Sequence, residues 1–404
     1  MFKKFRLQNY RTHIDTIFEP KDVTLLIGSN NSGKSNLLMG LNDFSLLVRN
    51  SSTRLIKSKE LRGINFFSVK HTLSNTNTPV SFFCEWERED KKIEYELEIY
   101  CLNKNDAQIG GREKITIFGD SHEKTIMHGH SDPSQEMLLR TKLENGNLTS
   151  DEKQIADIFF RDLSFLHYYH FQPAFLKGQA RPEIQNKSES GGIFPNIARE
   201  IGREGAYFQD LVKYTKKYDQ VAYGEFLGYL KRFVKSFNEI IIDRDITKWQ
   251  FDMGGSTFPY FESHEVSDGL LKAGAVALLC AMKKPPAMIM IEEIENGINQ
   301  RNLSEFMGWL FDISDKGENT QFILTSHSPS VIREFSDCLD AVYNLHLREK
   351  DHRSMLTNLN DAIKPLVNMG SVDGEIVEEN GKELAHVKSY KLTELFYNGV
   401  LGGL

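Results

Sequence analysis

Eight residues near the N-terminus have the types and spacing of a phosphate-binding loop. They run from Gly28 to Ser35 in the pattern G-x-x-x-x-G-K-S, directly after the apolar stretch at residues 23–27. Glycines let successive backbone N–H groups turn toward phosphate oxygens, where a Cβ atom would obstruct them. Lys34 could contact the β and γ phosphates of a nucleoside triphosphate, and Ser35 could offer its hydroxyl to Mg²⁺. The loop therefore predicts a site for a nucleoside triphosphate and Mg²⁺, followed by a helix whose N-terminus faces the anion.

Two adjacent carboxylates end a second apolar stretch. Residues 287–291 read Ala-Met-Ile-Met-Ile and are followed by Glu292 and Glu293, as the second half of a phosphate-loop ATPase requires. Because side chains alternate along a strand, the two acids are expected to point in opposite directions. Glu292 would reach the Mg²⁺ shell through water, and Glu293 would act as the base that polarises the attacking water. The alternative is a strand that simply ends in a charged turn.

A histidine follows a third apolar stretch. The strand predicted at residues 321–325 ends in Ser326-His327-Ser328-Pro329. A neutral imidazole there could hydrogen-bond to the γ-phosphate, which makes His327 a catalytic candidate beside Lys34 and Glu293. A purely structural histidine is the alternative, but the position after the Glu-Glu strand favours the catalytic interpretation.

A short polar segment, Ser267-Asp268-Gly269, comes before an apolar helix predicted at residues 273–282. A serine hydroxyl and free backbone N–H groups at the start of a helix can bind an anion. Taken alone, Ser267 is simply an N-cap. Together with the other motifs, Ser267 and Gly269 become candidate nucleotide-binding residues.

Short strands are predicted to position the first of these motifs. Residues 5–11 and 15–19 predict strands that lead into the phosphate loop. Residues 80–86 and 93–99 alternate in period two around a polar turn, and residues 114–117 add a further strand. These segments predict an antiparallel lobe beside the nucleotide site.

Helices and one long loop are predicted further along the chain. The loop spans residues 178–194 and is rich in Gly, Pro, Ser, Asn and Gln. Apolar residues recur at helical spacing from Phe226 to Phe237, which predicts one helix. A second helix is predicted near residues 300–313 and a short third one near residues 362–367.

The composition is that of an ordinary globular protein without membrane segments. No stretch approaches about 18 apolar residues, and the N-terminus lacks the apolar core of a secretory signal, so the expected location is cytoplasmic. The four cysteines stand far apart without a C-x-x-C pair, as expected in a reducing compartment. The net charge of −7 gives no global basic field, so nucleic-acid binding stays open and would need a local basic patch.

A polar loop with three histidines raises a metal-binding hypothesis. His122, His128 and His130 lie close in sequence to Asp120 and Asp132, and imidazoles and carboxylates are good metal ligands. Their spacing is irregular, however, and the segment is rich in Gly, Ser and Asp. A solvated polar loop is the preferred interpretation.

In combination and order, these motifs resemble the ABC-type ATPase heads of the SMC, RecF and OLD (overcoming lysogenisation defect) group. The resemblance is strongest to the OLD-like ATPases of bacterial anti-phage systems, and it covers about residues 1–48 and 160–350. Residues 7–11 resemble the group's opening L-x-N-[FY]-[RK], whose basic residue lies near the nucleotide, and Arg11 takes that role here. Residues 28–36 match the group's loop, which implies nucleotide contacts from Gly28, Asn30, Asn31, Ser32, Gly33, Lys34, Ser35 and Asn36.

Three further segments carry the same resemblance. Ser267-Asp268-Gly269 resembles the S-D-G form of the ABC signature, which in the family completes the ATP site of the opposite subunit. Residues 292–298 resemble the family's acid strand with its D-loop, and residues 325–329 resemble its switch-histidine segment. Gln172 is the candidate for the Q-loop glutamine, which would join Ser35 and Glu292 at the metal.

The resemblance also implies an architecture. The expected fold class is α/β, a P-loop ABC-type ATPase head with an antiparallel β lobe and a helical lobe. The expected division of the chain is an ATPase domain at 1–350 (core at about 1–48 and 160–350, β-rich insertion at about 65–135, helical lobe at about 196–245) and an extension at 351–404. That extension would serve oligomerisation or partner contact.

The sequence departs from the family pattern in three places. Glu292 stands where many relatives have Asp, so the Mg²⁺ shell is expected to persist with altered geometry. Asp268 replaces a glycine of the transporter-type signature, which counts against a transporter ATPase. Asn299 and Gln300 stand where relatives often carry His-Pro, so the exchange of D-loops between subunits is expected to differ.

The function implied by the resemblance is a slow ATPase that works as a dimer or larger homo-oligomer with composite ATP sites. Few residues follow position 350 and they contain no Glu…Asp-x-Asp array of a Toprim nuclease. The chain is therefore expected to act as a sensor or scaffold for a separate effector, such as a Toprim nuclease, in phage defence. The alternative is a RecF- or SMC-like DNA-binding clamp in repair or recombination, which predicts a basic groove and DNA-stimulated turnover.

Overall fold

The computed structural model describes residues 1–49, 70, 78–103, 108–119, 123–130, 148–180, 200–243, 246–315, 320–348, 350–379 and 381–399. The strands are β1 (Phe2–Tyr10), β2 (His13–Phe18), β3 (Val23–Ile27), β4 (Val80–Arg88), β5 (Lys91–Asn103), β6 (Gln108–Phe118), β7 (Glu123–His130), β8 (Leu166–Tyr169), β9 (Phe237–Asp243), β10 (Ile246–Phe251), β11 (Tyr260–Glu262), β12 (Met288–Ile291), β13 (Gln321–Thr325), β14 (Val342–Arg348), β15 (Arg353–Asn358), β16 (Gly374–Glu379) and β17 (Lys382–Val387). The helices are α1 (Lys34–Arg49), α2 (Ser150–Ser164), α3 (Pro173–Leu176), α4 (Phe208–Tyr218), α5 (Gln220–Phe233), α6 (Asp268–Cys280), α7 (Leu303–Asp315), α8 (Pro329–Arg333), α9 (Leu359–Asn368) and α10 (Ser389–Tyr397).

A central sheet has the strand order β15-β14-β3-β13-β12-β8. Its strands are parallel except β15, which pairs with β14 in the antiparallel sense. Every residue of β3, β12 and β13 is buried, as expected for parallel strands that are covered on both faces. Because the carboxyl ends of parallel strands meet at one edge of a sheet, the residues that follow these three strands lie side by side.

A second sheet forms the antiparallel lobe, in the order β2-β1-β4-β5-β6-β7. Its apolar residues share one core with α1, α2 and one face of the central sheet. The Phe44 ring of α1 stacks on Phe82 and Tyr95, with ring centroids 5.2 and 5.9 Å apart. The helix that begins in the phosphate loop is therefore anchored in this lobe.

The helical lobe packs on the other face of the central sheet. α4, α5 and the three-stranded sheet β9–β11 share a core with α6. The prediction that one helix continues to Phe237 is wrong, because α5 ends at Phe233 and Val234 is extended. Phe237 begins β9 instead and packs against Trp249, with ring centroids 5.9 Å apart. Phe237 is buried like the apolar residues of α5. The apolar spacing therefore continues past the end of the helix, and the sequence does not show that the backbone changes from helix to strand.

The residues after β14 fold onto the central sheet. β15 joins that sheet as an edge strand, and α10 packs against α8. The predicted short helix is present as α9, whereas β15, the hairpin β16–β17 and α10 were not predicted from the sequence. Short, half-exposed elements of this kind carry weak apolar periodicity.

The predicted α/β class with an antiparallel β lobe and a helical lobe is confirmed. The helix predicted near residues 300–313 is present as a 3₁₀ turn at Gln300–Asn302 followed by α7. The predicted loop at 178–194 lies outside the described residues beyond position 180. Within the described ranges, no helix combines the length and apolar character needed to cross a membrane.

Candidate functional site

The phosphate loop joins the end of β3 to the start of α1. Its backbone is left-handed at three positions, with φ of 140° at Gly28, 63° at Asn31 and 107° at Gly33. A Cβ atom on Gly28 would lie 2.1 Å from the Leu345 carbonyl oxygen, and one on Gly33 would lie 2.0 Å from Ser354 Oγ. Both glycines are thus required by the shape of the loop as well as by its torsion angles.

Lys34 lies inside this loop and is only 6% exposed. Its Nζ donates to the backbone oxygens of Gly28 and Ser29, both at 2.9 Å, and lies 3.4 Å from Ser32 Oγ. Burial lowers the pKa of Lys34 to about 8, while the carboxylates that follow β12 act in the opposite direction. The ammonium group therefore remains mostly charged at neutral pH and is held where an anion in the loop would meet it.

The remaining predicted loop residues lie around this lysine. Asn30, Asn31 and Ser35 are exposed, whereas Ser32 is buried. Asn36 binds the turn between β1 and β2, because its Nδ2 donates to Thr12 Oγ1 at 3.0 Å. The loop thus exposes polar side chains to solvent, and the hydrogen bond from Asn36 attaches it to the turn between β1 and β2.

Arg11 lies in the same turn with a left-handed backbone at φ 47°. Its Nη1 donates to Asn36 Oδ1 at 3.3 Å, and its buried Nε has no hydrogen-bond partner among the described residues. The resemblance predicted a basic residue near the nucleotide, and the structure brings Arg11 to the last residue of the predicted loop. The Arg11 guanidinium group therefore lies beside the end of the phosphate loop.

Ser354 of β15 supports the loop from the C-terminal part of the chain and was not predicted as a site residue. Its Oγ lies 2.8 Å from the Ser32 backbone oxygen and 2.7 Å from Thr12 Oγ1. Because a carbonyl oxygen only accepts, the Ser354 hydroxyl must donate to Ser32 and accept from Thr12. No local sequence signal marks this contact between residues 322 positions apart.

His13 lies fully buried beneath the loop. Its Nε2 is 3.1 Å from the Gly33 oxygen and its Nδ1 is 3.0 Å from Thr16 Oγ1. Since Gly33 only accepts, the proton must be on Nε2, and Nδ1 then accepts from the threonine hydroxyl. Burial lowers the pKa of His13 to about 4, against the raising effect of the Gly33 hydrogen bond, so the ring is neutral at physiological pH.

We expect His13 to make the protein less stable in mild acid. The unfolded state takes up a proton near pH 6.5, whereas the folded state does so only near pH 4, so the free energy of unfolding should fall by about 2 kcal/mol between pH 7 and pH 5 through this group. Urea unfolding of wild type and His13→Gln at both pH values measures the difference. Thr16→Val keeps the histidine and should retain the pH dependence. Equal losses in wild type and His13→Gln would refute the assignment.

The carboxylates differ from their predicted geometry. β12 ends at Ile291, so strand alternation does not reach either acid. The chain turns at Glu293 instead, where φ is 48°. The Glu293 N–H donates to Thr325 Oγ1 at 2.9 Å, and its carboxylate accepts from Asn296 Nδ2 at 3.2 Å. A left-handed backbone at a non-glycine residue therefore directs the predicted base, in place of the pleat of a strand.

Glu292 is buried, with 5% of its surface exposed. Its Oε2 lies 2.6 Å from His170 Nδ1, a partner that was not predicted from the sequence. The predicted Q-loop residue, Gln172, is the N-cap of α3 and makes no side-chain capping hydrogen bond. The structure thus brings His170, two residues earlier, into contact with this acid.

The buried Glu292 carboxylate also provides a test of whether the site fits Mg²⁺. Its Oε1 makes no hydrogen bond of good geometry among the described residues, although the Tyr168 hydroxyl lies close enough to this carboxylate to interact with it, and such a buried oxygen is costly unless a further group such as a cation satisfies it. Ser35 is exposed at the start of α1 and offers a hydroxyl oxygen. Carboxylate and hydroxyl oxygens are the hard ligands that Mg²⁺ binds, so the residues present fit this ion.

His327 follows β13 at the same edge of the sheet. Its backbone N–H donates to Glu295 Oε1 at 2.8 Å, which fixes the start of the segment. Partial desolvation lowers the pKa of the exposed His327 ring, and the positive charge of Lys34 lowers it further. The imidazole is therefore neutral at pH 7, the state in which it can both donate and accept a hydrogen bond.

The signature segment, Ser267-Asp268-Gly269, lies at the start of α6. Ser267 is the exposed N-cap of α6, and its Oγ accepts from the Leu270 N–H at 3.4 Å. Gly269 packs against the Gly297 backbone so closely that a Cβ would lie 2.0 Å from the Gly297 oxygen. The neighbouring Asp268 pairs with Lys177 at 2.7 Å. Ser267 and Gly269 thus adjoin the D-loop of the same chain and line a cavity of about 440 Å³ with it.

The histidine-rich segment lies largely outside the described residues, so metal binding there stays a hypothesis, although the backbone of His128 and His130 belongs to β7 and not to a loop. Asp120, His122 and Asp132 lie outside the described residues, and the side chains of His128 and His130 are also not described. Over the ranges that the structure describes, no three His, Cys, Asp or Glu side chains form a group that could hold a metal ion.

Comparison with known proteins gives one match to a family model and several similar structures. Solved structures that resemble the chain include an Smc head bound to the C-winged helix domain of ScpA (11% identity, 90% of this chain and 99% of that chain, TM-score 0.47). Others are the SMC head domain from Thermotoga maritima (13%, 88% and 98%, 0.45) and an Smc head with a coiled coil and joint from Pyrococcus yayanosii (10%, 91% and 99%, 0.46). No curated protein sequence matches the chain.

The family model is described as "AAA domain, putative AbiEii toxin, Type IV TA system" and matches residues 137–333. The matched segment contains Ser267, both carboxylates and His327, and it begins after the phosphate loop. The chain is therefore similar to this AAA domain family through the second half of the candidate site.

Proposed function

We propose that this chain is an ABC-type ATPase that binds ATP with Mg²⁺ and hydrolyses it slowly. The observation that carries the proposal is the meeting of three segments at one edge of the central sheet. Lys34 and Ser35 follow β3, Glu292 and Glu293 follow β12, and His327 follows β13. A cation in a glycine loop, two acids and a neutral imidazole are the groups that phosphoryl transfer to water needs.

Each residue has a distinct role in this proposal. The loop N–H groups and Lys34 bind the phosphates, and Ser35 and Glu292 would hold Mg²⁺, which neutralises charge on the phosphate oxygens when it is bound. Glu293 orients and deprotonates the attacking water. His327, neutral at pH 7, hydrogen-bonds to the terminal phosphate.

The signature residues are proposed to act on a second copy of the chain. Ser267 is exposed at the N-terminus of a thirteen-residue helix, where backbone N–H groups favour an anion. It adjoins the D-loop rather than the phosphate loop of its own chain. In the proposed composite site, one copy supplies Ser267 and Gly269, and the other copy supplies the phosphate loop.

The biological role proposed for the ATPase is control of a separate effector protein, such as a Toprim nuclease, in bacterial anti-phage defence. The motif resemblance to OLD-like ATPases supports this role, as does the match to a model whose description names a toxin of a toxin–antitoxin system. A RecF-like DNA clamp is the second candidate, and the net charge of −7 does not favour it. Turnover that duplex DNA stimulates would select the clamp.

The solution mass of Glu293→Gln tests the assembly proposal. Light scattering with and without ATP and Mg²⁺ should show a stable oligomer larger than a dimer in both conditions if the protein is a scaffold. A monomer that becomes a dimer only with ATP would select the clamp, because nucleotide then supplies the contacts that join the copies. A monomer in both conditions would refute composite sites.

A further inference from the structure

Lys272 is a buried lysine in the apolar helix α6 that no motif explains. Only 5% of its surface is exposed. Burial lowers the pKa of Lys272 to about 8, and the nearby carboxylates of Glu295 and Glu293 act in the opposite direction. A buried ammonium group carries a desolvation penalty, so it persists only where specific acceptors compensate for it.

The acceptor of this lysine is the backbone of the predicted catalytic base. Lys272 Nζ donates to the Glu293 carbonyl oxygen at 2.5 Å. On the other side of the same residue, the Glu293 N–H donates to Thr325 Oγ1 at 2.9 Å. Side chains from two separate elements, α6 and β13, therefore hold one peptide segment.

The held residue has an unusual backbone. Glu293 has φ 48°, a conformation that is strained for a non-glycine residue and persists where its surroundings impose it. The direction of its carboxylate depends on that turn, because β12 has already ended at Ile291. Contacts that impose the left-handed turn thus determine where the carboxylate points.

The helix that carries Lys272 is itself fixed against the same turn. Near its N-terminus, Gly269 packs on Gly297 with no room for a Cβ atom. Lys272 lies one helical turn further along and contacts the other end of the segment from Glu293 to Gly297. α6 therefore gives the lysine a rigid base from which to hold the turn.

We propose that Lys272 is a positioning residue for ATP hydrolysis, which holds the Glu293 carboxylate in line with the attacking water by fixing its backbone. The inference rests on the proposed function and assigns the lysine to the base of its own chain. If Lys272 acted instead as part of the signature segment, it would act on the nucleotide bound by the partner copy.

Steady-state kinetics of Lys272→Met and Lys272→Arg test the proposal. Methionine fills similar volume without a donor, so kcat should fall about 100-fold, the effect of a misplaced catalytic group. KM for ATP should stay within about threefold, because ground-state binding does not involve the base. Lys272→Arg, which retains a donor, should recover at least about tenfold of the lost kcat. A raised KM with unchanged kcat would overturn the proposal.

A mixed-subunit experiment separates the base from the signature. Chains that carry Lys34→Ala and wild-type chains, each with its own affinity tag, are co-purified so that only the wild-type phosphate loop is intact. Lys272→Met should lower turnover about 100-fold when it is on the chain with intact Lys34, the same loss as in the uniform variant, and have little effect on the other chain. The reverse pattern would assign the lysine to the signature and overturn the proposal.

Two further measurements keep the result interpretable. Thermal unfolding reports whether Lys272→Met folds, and Lys272→Gln is the second variant if it does not, with the same expected loss of kcat. Wild-type turnover in Glu293→Gln would show that the base is another group and would overturn the positioning role with it, whereas an absence of ATP turnover in the wild-type protein would show that the proposed function itself is wrong. An inactive Glu293→Gln together with a fully active Lys272→Met would overturn only the positioning role.

Discussion

Glu293→Gln will lower the rate of ATP hydrolysis about 100- to 1,000-fold, in the range expected for loss of a general base. ATP binding will be retained, because the amide has the size of the carboxylate and the contacts that hold the turn involve the backbone of residue 293. The amide cannot accept a proton from water, so the loss should fall on kcat. Phosphate release under saturating ATP and equilibrium binding of ATP measure the two effects separately.

Glu239→Gln is the matched control for this substitution. Glu239 forms an ion pair with Lys216 on the helical lobe, with half of its side chain exposed, and the change removes the same charge far from the proposed chemistry. Its turnover should equal that of wild type. If Glu293→Gln also retained wild-type turnover, the base would have to be another group, with the buried Glu292 as the next candidate to test.

The meeting of the site residues could be predicted from sequence because each follows a buried parallel strand. Lys34, Glu292 and His327 come after short apolar stretches, and such strands bring their carboxyl ends to one edge of a sheet. The prediction needs only local patterns and one general rule of topology. For that reason, residues that are nearly 300 positions apart in the chain can be predicted to lie at the same edge of the sheet.

The direction of each side chain at that edge could not be predicted in the same way. Strand alternation was extended two residues too far, since β12 ends before Glu292 and a left-handed turn follows at Glu293. The backbone of that turn hydrogen-bonds to Lys272 and Thr325, which belong to other elements. A single sequence gives no sign of which distant donor will meet a backbone carbonyl.

The same limit applies to the residues that support the phosphate loop. Ser354 and His13 hold the backbone oxygens of Ser32 and Gly33, yet neither stands in a recognisable motif. The edge strand that carries Ser354 is short and mostly half-exposed. Contacts of this type depend on the tertiary fold, whereas the motifs depend on local spacing.

Lys34→Ala will remove most of the stabilisation of the protein by ATP. A ligand present at 100 times its dissociation constant raises the free energy of unfolding by about 2.7 kcal/mol in wild type. Loss of the loop cation removes charge-assisted hydrogen bonds to phosphate, each of which contributes about 1.5–3 kcal/mol. The affinity for ATP should therefore fall at least about 100-fold, which leaves at most about 0.4 kcal/mol of stabilisation at the same ligand concentration, and the increase in melting temperature with ATP and Mg²⁺ should shrink in proportion.

The measurement has an internal check, because the lysine also binds the backbone of the loop itself. Its Nζ binds the Gly28 and Ser29 oxygens, so Lys34→Ala should change the melting temperature without ATP as well, and only the ATP-dependent increment reports on the nucleotide site. Lys283→Ala, which removes an exposed lysine paired with Asp219, should keep the full increment. An undiminished increment in Lys34→Ala would mean that ATP binds elsewhere, and the roles assigned to both carboxylates and to His327 would fall with it.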